Sequence, residues 1–244
     1  MKPLRLRHFA LPLAIAALIG ACALLASPWM GQGFELADLS TDSENRLTRQ
    51  LDDGSLLTLD ASSAVDVEFT AGQRHVQLLK GQVLLEVARG DTRPFIIETP
   101  QGTLRPLDAQ LIVERLENLT DVTVLQGRVE LEGNGRKLSL NRGQHLSFDA
   151  DSPGTVGKVD VGTRQAAWYL QRLPSEGQPL VTTLERLARH RQGLVWFDPK
   201  ALEGLTVSED LPLDDSDEAL SILQAGLPIE VSHYTGWLTW VRRR

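Results

Sequence analysis

The sequence predicts a mainly β protein: an N-terminal membrane anchor, then an all-β domain built as a solenoid or a sandwich, then a small α+β domain. Three observations predict it. Phe9 to Phe34 contains no charged residue. Short runs of β-forming residues recur between turn dipeptides from about residue 42 to 149. From residue 178 the apolar spacing becomes helical. The boundaries that follow are a stub at 1–8, an anchor at 9–30, the β domain at 42–149, a linker at 150–177 and the α+β domain at 178–244.

The anchor comes first. Lys2, Arg5 and Arg7 precede an apolar stretch from Phe9 to Met30, and Glu35, Asp38 and Asp42 follow it. About 20 apolar residues span a bilayer, and the charge asymmetry puts the N-terminus in the cytoplasm. The first reading is an uncleaved signal anchor, because the run exceeds the roughly 7–15 residues of a secretory signal core. Ile19-Gly20-Ala21-Cys22 also has the look of a lipoprotein signal, and a cleaved signal near Ala21 or Ala26 is the third alternative. Each route puts the rest of the chain in the periplasm; the anchor makes it a single-pass inner-membrane protein.

The β domain reads strand by strand. Ser55–Leu59, Ala64–Phe69, His75–Leu79, Gln82–Val87, Phe95–Thr99, Gln110–Glu114, Asp121–Leu125 and Arg128–Glu132 are the predicted strands. Val65, Val67 and Phe69 alternate with Asp66, Glu68 and Thr70, the period of a half-buried strand. Asp53-Gly54, Lys80-Gly81, Gln126-Gly127 and Arg142-Gly143 supply turns. Residues 150–162 read as a polar Pro/Gly linker, and 164–172 as a short helix or strand. Beyond it, Leu180, Leu184 and Leu187 lie at helical spacing, and Gly193 stops that helix. Leu194–Phe197 and Leu205–Val207 are short strands, Asp214–Gln224 is a second helix, and 228–233 with 236–241 form a closing hairpin.

Chemistry is sparse. The formal net charge is −7, from 25 basic and 32 acidic residues, which argues against a nucleic-acid partner. One cysteine, Cys22, excludes an internal disulfide. His8, His75, His145, His190 and His233 lie at no metal-ligand spacing. Asp214, Asp215, Asp217 and Glu218 read as a helix N-terminus rather than a calcium loop. Asp53-Gly54-Ser55 lacks the glycine pattern of a nucleophile elbow, and phosphate-binding glycine loops are absent. The expectation is a protein without catalysis, cofactor or metal. The closing hairpin supplies the candidate partner-binding residues Leu227, Ile229, Val231, Trp237, Leu238 and Trp240, with the last strand a candidate edge for strand addition. Trp196 and Phe197 are expected in the core.

The order of motifs from Arg46 to Phe148 resembles the FecR family of sensor regulators. The matching pieces are Leu51-Asp-Asp-Gly-Ser-Leu-Leu-Thr-Leu59, Ser63, Arg74-His-Val-Gln-Leu-Leu-Lys-Gly81, Arg93-Pro-Phe95, Thr99, Val122-Thr-Val-Leu-Gln-Gly-Arg-Val129 and Arg142-Gly-Gln144. The tail from Pro179 to Val241 resembles the short N-terminal domain of secretins and TonB-dependent receptors. The resemblance implies an inner-membrane relay in iron or siderophore uptake, with no catalytic residue. Its C-terminal part would meet the periplasmic signalling domain of a TonB-dependent outer-membrane transporter. Its cytoplasmic part would control a sigma factor of the extracytoplasmic-function class.

Two departures from the family pattern stand out. About eight residues precede the anchor, too few to bind a sigma factor, so that partner is expected only if a cytoplasmic domain is missing from this chain. A periplasmic scaffold or assembly module that binds an envelope partner without sigma-factor control is therefore the alternative. Second, Leu107-Asp-Ala-Gln-Leu111 stands where the family reads Leu-Gly-Thr-Arg-Phe. Relatives that cleave themselves there need a hydroxyl after the scissile carbonyl. Ala109 has none, so no self-cleavage is expected.

Overall fold

The computed structural model describes residues 37–244 except 134, 153 and 235. The anchor at 9–30 and Cys22 lie outside the described residues, within which no helix is long and apolar enough to cross a membrane. Chain order gives β1 (Leu39–Ser40), β2 (Leu47–Gln50), β3 (Leu56–Leu59), β4 (Ala64–Phe69), β5 (Arg74–Glu86), β6 (Phe95–Thr99), β7 (Gly102–Arg115), β8 (Leu119–Gly133), β9 (Arg136–Asn141), β10 (Gln144–Asp149) and β11 (Gly157–Lys158). These strands share a single sheet in the order β1-β4-β5-β6-β7-β8-β10-β11, with β2 and β3 joined through β5 and β9 joined to β8.

Three long strands shape that sheet, and each turns a corner. β5 buries Val76 and Leu78, then Val83 and Leu85. β7 buries Leu104, then Ala109, Leu111 and Val113; β8 buries Val122 and Val124, then Val129 and Leu131. In every case the buried set changes from even to odd numbers. Side chains alternate strictly along a strand, so one extra residue at a bend keeps both halves facing the same core. The switch residues are left-handed: Gly81 at φ 82°, Asp108 at φ 45° and Gly127 at φ 73°. A Cβ on Gly81 would collide with Ser63, and one on Gly127 with the Asp108 carbonyl.

The turn dipeptides Lys80-Gly81 and Gln126-Gly127 are therefore corners within continuous strands, not hairpin turns between separate ones. Strands β1 to β10 all contribute to a single apolar core.

The stretch read as a linker contains β11, helix α1 (Val161–Tyr169) and β12 (Arg172–Leu173). Asp160 caps α1 by accepting from Thr163 N at 2.7 Å. Trp168 of α1 packs on Leu84 of β5, Ile112 of β7 and Leu125 of β8, on the side of those strands away from the main core. The remaining elements are α2 (Leu180–Ala188), β13 (Leu194–Phe197), β14 (Leu211–Pro212), α3 (Ser216–Gly226), β15 (Ile229–Tyr234) and β16 (Leu238–Arg243). Leu180, Leu184 and Leu187 of α2 and Leu220 and Leu223 of α3 meet Val195, Ile229 and Val241 in a second core.

Strand order there is β13-β16-β15, with β13 parallel to β16 and β15 antiparallel. Leu205–Val207 pairs with the chain only around the bridge between Thr206 and Pro179, through Val207 N to the Gln178 carbonyl at 2.9 Å and Leu180 N to the Leu205 carbonyl at 2.8 Å; the pairing goes no further because Leu180 enters α2. Residues 38–244 together make one compact unit.

Candidate functional site

The C-terminal sheet has one buried and one open face. Cross-strand register puts Leu194 opposite Leu238 and Leu238 opposite Tyr234, and Trp196 opposite Trp240 and Trp240 opposite Ser232. Directly opposed residues share a face. Leu194, Trp196, Tyr234, Leu238 and Trp240 thus line the outer side, while Val195, Ile229, Val231 and Val241 point to the core.

Leu194 is 59%, Trp196 49%, Tyr234 47% and Trp237 72% exposed. Trp196 and Trp240 meet edge to face at 5.4 Å, and Tyr234 lies 6.1 Å from Trp240. The Arg242 guanidinium sits 5.5 Å over Trp240 and pairs with Glu230 at 2.9 Å. A cluster of exposed apolar rings with a polar rim is the usual chemistry of a protein-binding surface.

Of the residues expected to bind a partner, Trp237, Leu238 and Trp240 lie on or beside this face. Ile229 is fully buried, and Leu227 and Val231 pack against the same core. β16 is the central strand, so the expected free edge belongs instead to β13 and β15. Trp196 belongs to the outer face rather than the core. Tyr234 and Leu194 join it unforeseen. In Leu194-Val-Trp-Phe197 every position is apolar, so alternation carries no signal; only the register with Trp240 reveals which side faces out.

A second polar centre joins the α+β part to the large sheet. Arg186 of α2 donates from Nε to Glu114 Oε2 at 3.0 Å and from Nη2 to Asp121 Oδ2 at 3.0 Å. Arg189 also pairs with Glu114. His145 Nε2 lies 2.7 Å from Asp121, and His190 Nε2 lies 3.3 Å from Asp60, which receives Arg46 Nε at 2.6 Å. Ser62 Oγ donates to the Arg189 carbonyl at 2.8 Å.

Three guanidinium groups thus meet three carboxylates in a mostly buried seam. Burial works to raise the Glu114 carboxyl, but Arg189 and Arg186 hold it well below the usual range. Burial likewise opposes ionisation of Asp60, yet His190 and Arg46 bring it down to about 2.

The remaining candidates resolve into structure. Asp215 caps α3, accepting from Asp217 N at 3.1 Å and Glu218 N at 2.9 Å. Asp53 accepts from Ser55 Oγ at 2.6 Å and pairs with Arg74 at 2.7 Å. Asp108 and Ala109 form the β7 bend, where Ala109 is buried. Among the described residues, no group of three His, Cys, Asp or Glu is placed to hold a metal.

Residues 37–130 match the family model described as FecR protein. Two crystal structures of a "putative anti-sigma factor" from Parabacteroides distasonis share the fold with a TM-score of 0.75. They are 20% identical, and the match covers 84% of this chain and 98% of that chain. No curated protein matches. The shared fold extends past the residues of the family match into the α+β part.

Proposed function

From the FecR domain that residues 37–130 form, we propose that this chain is the periplasmic part of a FecR-type sensor regulator, held in the inner membrane by residues 9–30. It relays a signal from an outer-membrane partner toward an extracytoplasmic-function sigma factor, and it does so by binding rather than catalysis. The partner is the periplasmic signalling domain of a TonB-dependent transporter in iron or siderophore uptake.

The observation that carries the reading is the exposed aromatic face of the C-terminal sheet, displayed behind a FecR domain. Aromatic residues clustered at the centre of an interface commonly supply most of its binding energy. The full chain in detergent is titrated with the signalling domain of the transporter encoded in the same genome. Saturable binding is expected, and Trp196→Ala with Trp240→Ala weakens it at least tenfold. Absence of binding, or binding indifferent to both substitutions, refutes the reading.

A further inference from the structure

The C-terminal sheet carries an unused pairing edge. β16 is enclosed between β13 and β15. The β15 edge carries Glu230 and His233, whereas β13 reads Leu194-Val195-Trp196-Phe197 with no charge and no proline. Native edges are ordinarily blunted by charge, proline or a bulge, because their unpaired main-chain groups template another strand. β13 has none of these.

The direction of its free groups follows from one hydrogen bond. Leu194 N donates to the Trp237 carbonyl at 2.7 Å, so the main-chain groups of Leu194 face β16. Main-chain groups alternate sides along a strand. Trp196 therefore also faces β16, and the N–H and C=O of Val195 and Phe197 face the open edge. Among the described strands β13 pairs with β16 alone.

We propose that this edge pairs antiparallel with the same edge of a second copy of the chain, about a two-fold axis through Trp196. The pattern is self-complementary. Val195 stands opposite Phe197 of the second copy, and Phe197 opposite Val195. Each of these is a pair exchanging both hydrogen bonds, and the two Trp196 residues form the closer, non-hydrogen-bonded pair between them.

No like charges meet in this register. Leu194 faces Asp198, Gly193 faces Pro199 and Gln192 faces Lys200. Two three-stranded sheets become one of six strands, and the Trp196–Trp240 pairs of both copies merge into one aromatic platform. That consequence rests on the docking reading above; the pairing itself does not.

The test is a cross-link in the full chain carrying Trp196→Cys, in membranes under a mild oxidant. Directly opposed residues of a non-hydrogen-bonded pair have Cα atoms about 4.5 Å apart, inside the roughly 4.4–6.8 Å range of a disulfide. A reducible band at twice the chain mass is expected, well above the background set by the unaltered chain with its Cys22. Tyr234→Cys, on the opposite edge, is expected to stay at that background.

If Trp196→Cys fails to accumulate, Leu194→Cys combined with Asp198→Cys probes the neighbouring opposed pair and should give the same band. A chain that remains monomeric, cross-links only to a different polypeptide, or cross-links equally at Tyr234 overturns the proposal. Each of those outcomes leaves transporter binding to be judged by its own titration.

Discussion

Arg74 shows how one residue organises the motif that carries the family likeness. Its guanidinium pairs with Asp53 at 2.7 Å, donates to the Arg93 carbonyl at 2.7 Å, and lies 5.2 Å from the Phe95 ring centre. Asp53 in turn holds Ser55, whose Oγ accepts from Ala88 N at 2.9 Å. The Asp-Gly-Ser turn, Arg74 and Phe95 are thus one buried structural unit spanning three separated stretches of sequence. Arg74→Met should leave the Asp53 charge buried and unpaired. Breaking a buried pair in this way costs about 3–5 kcal/mol. Urea unfolding should show the midpoint falling accordingly with an unchanged slope, while Arg93→Met, at a more exposed site, should shift it far less.

At the scale of elements, α2 is the piece that ties two cores together. Its leucines enter the C-terminal core, and Arg186, Arg189 and the following His190 reach the large sheet. The acid behaviour of the fold follows from the carboxylates these groups hold. Glu114 and Asp60 both ionise more easily in the fold than in an unfolded chain, where Glu and Asp titrate near roughly 4.3 and 3.9. Depressed carboxylates contribute stability that is fully present above those unfolded values and is lost as pH falls through the folded ones. The urea midpoint should therefore be level from about pH 7 to 5 and fall between about pH 5 and 2. Glu114→Gln should lower it at neutral pH and flatten part of that acid limb. A limb as steep as that of the unaltered chain would show that the Glu114 seam is not its source.

For the whole molecule, the seam decides whether the two cores unfold as one. Ions buried away from water contribute little net stability when paired, yet removing one partner is costly. Such a seam fixes orientation more than it adds cohesion. Scanning calorimetry of the chain should show a single transition for residues 38–244. Arg186→Met removes the one group that bridges Glu114 and Asp121, leaving Glu114 to Arg189 and Asp121 to His145, and should split it into two transitions, one for the C-terminal core and one for the large β core. A single transition in the variant would mean that the remaining contacts, Arg189 with Glu114 and His190 with Asp60 among them, couple the cores without Arg186.

Local pattern by itself determined much of this protein. Alternation in Ala64–Phe69, helical spacing of Leu180, Leu184 and Leu187, and acidic capping at Asp215 are short-range signals, and each appears where the chain places it. The same signals could not tell a corner from a hairpin at Gly81 or Gly127, because a left-handed glycine serves both and only long-range pairing selects between them. Alternation in Ile229-Glu-Val-Ser232 does mark Ile229 as core, but it could not show that Trp196 is surface. Trp196 lies in a strand with an apolar residue at every position, and which side faces water is set by register with β16, a contact between distant segments. The charged seam was equally silent: Glu114 and Arg186 are far apart in sequence, and each alone is an ordinary charged residue. Their partnership, and the open edge of β13, exist only because the tertiary fold brings separate stretches to one place.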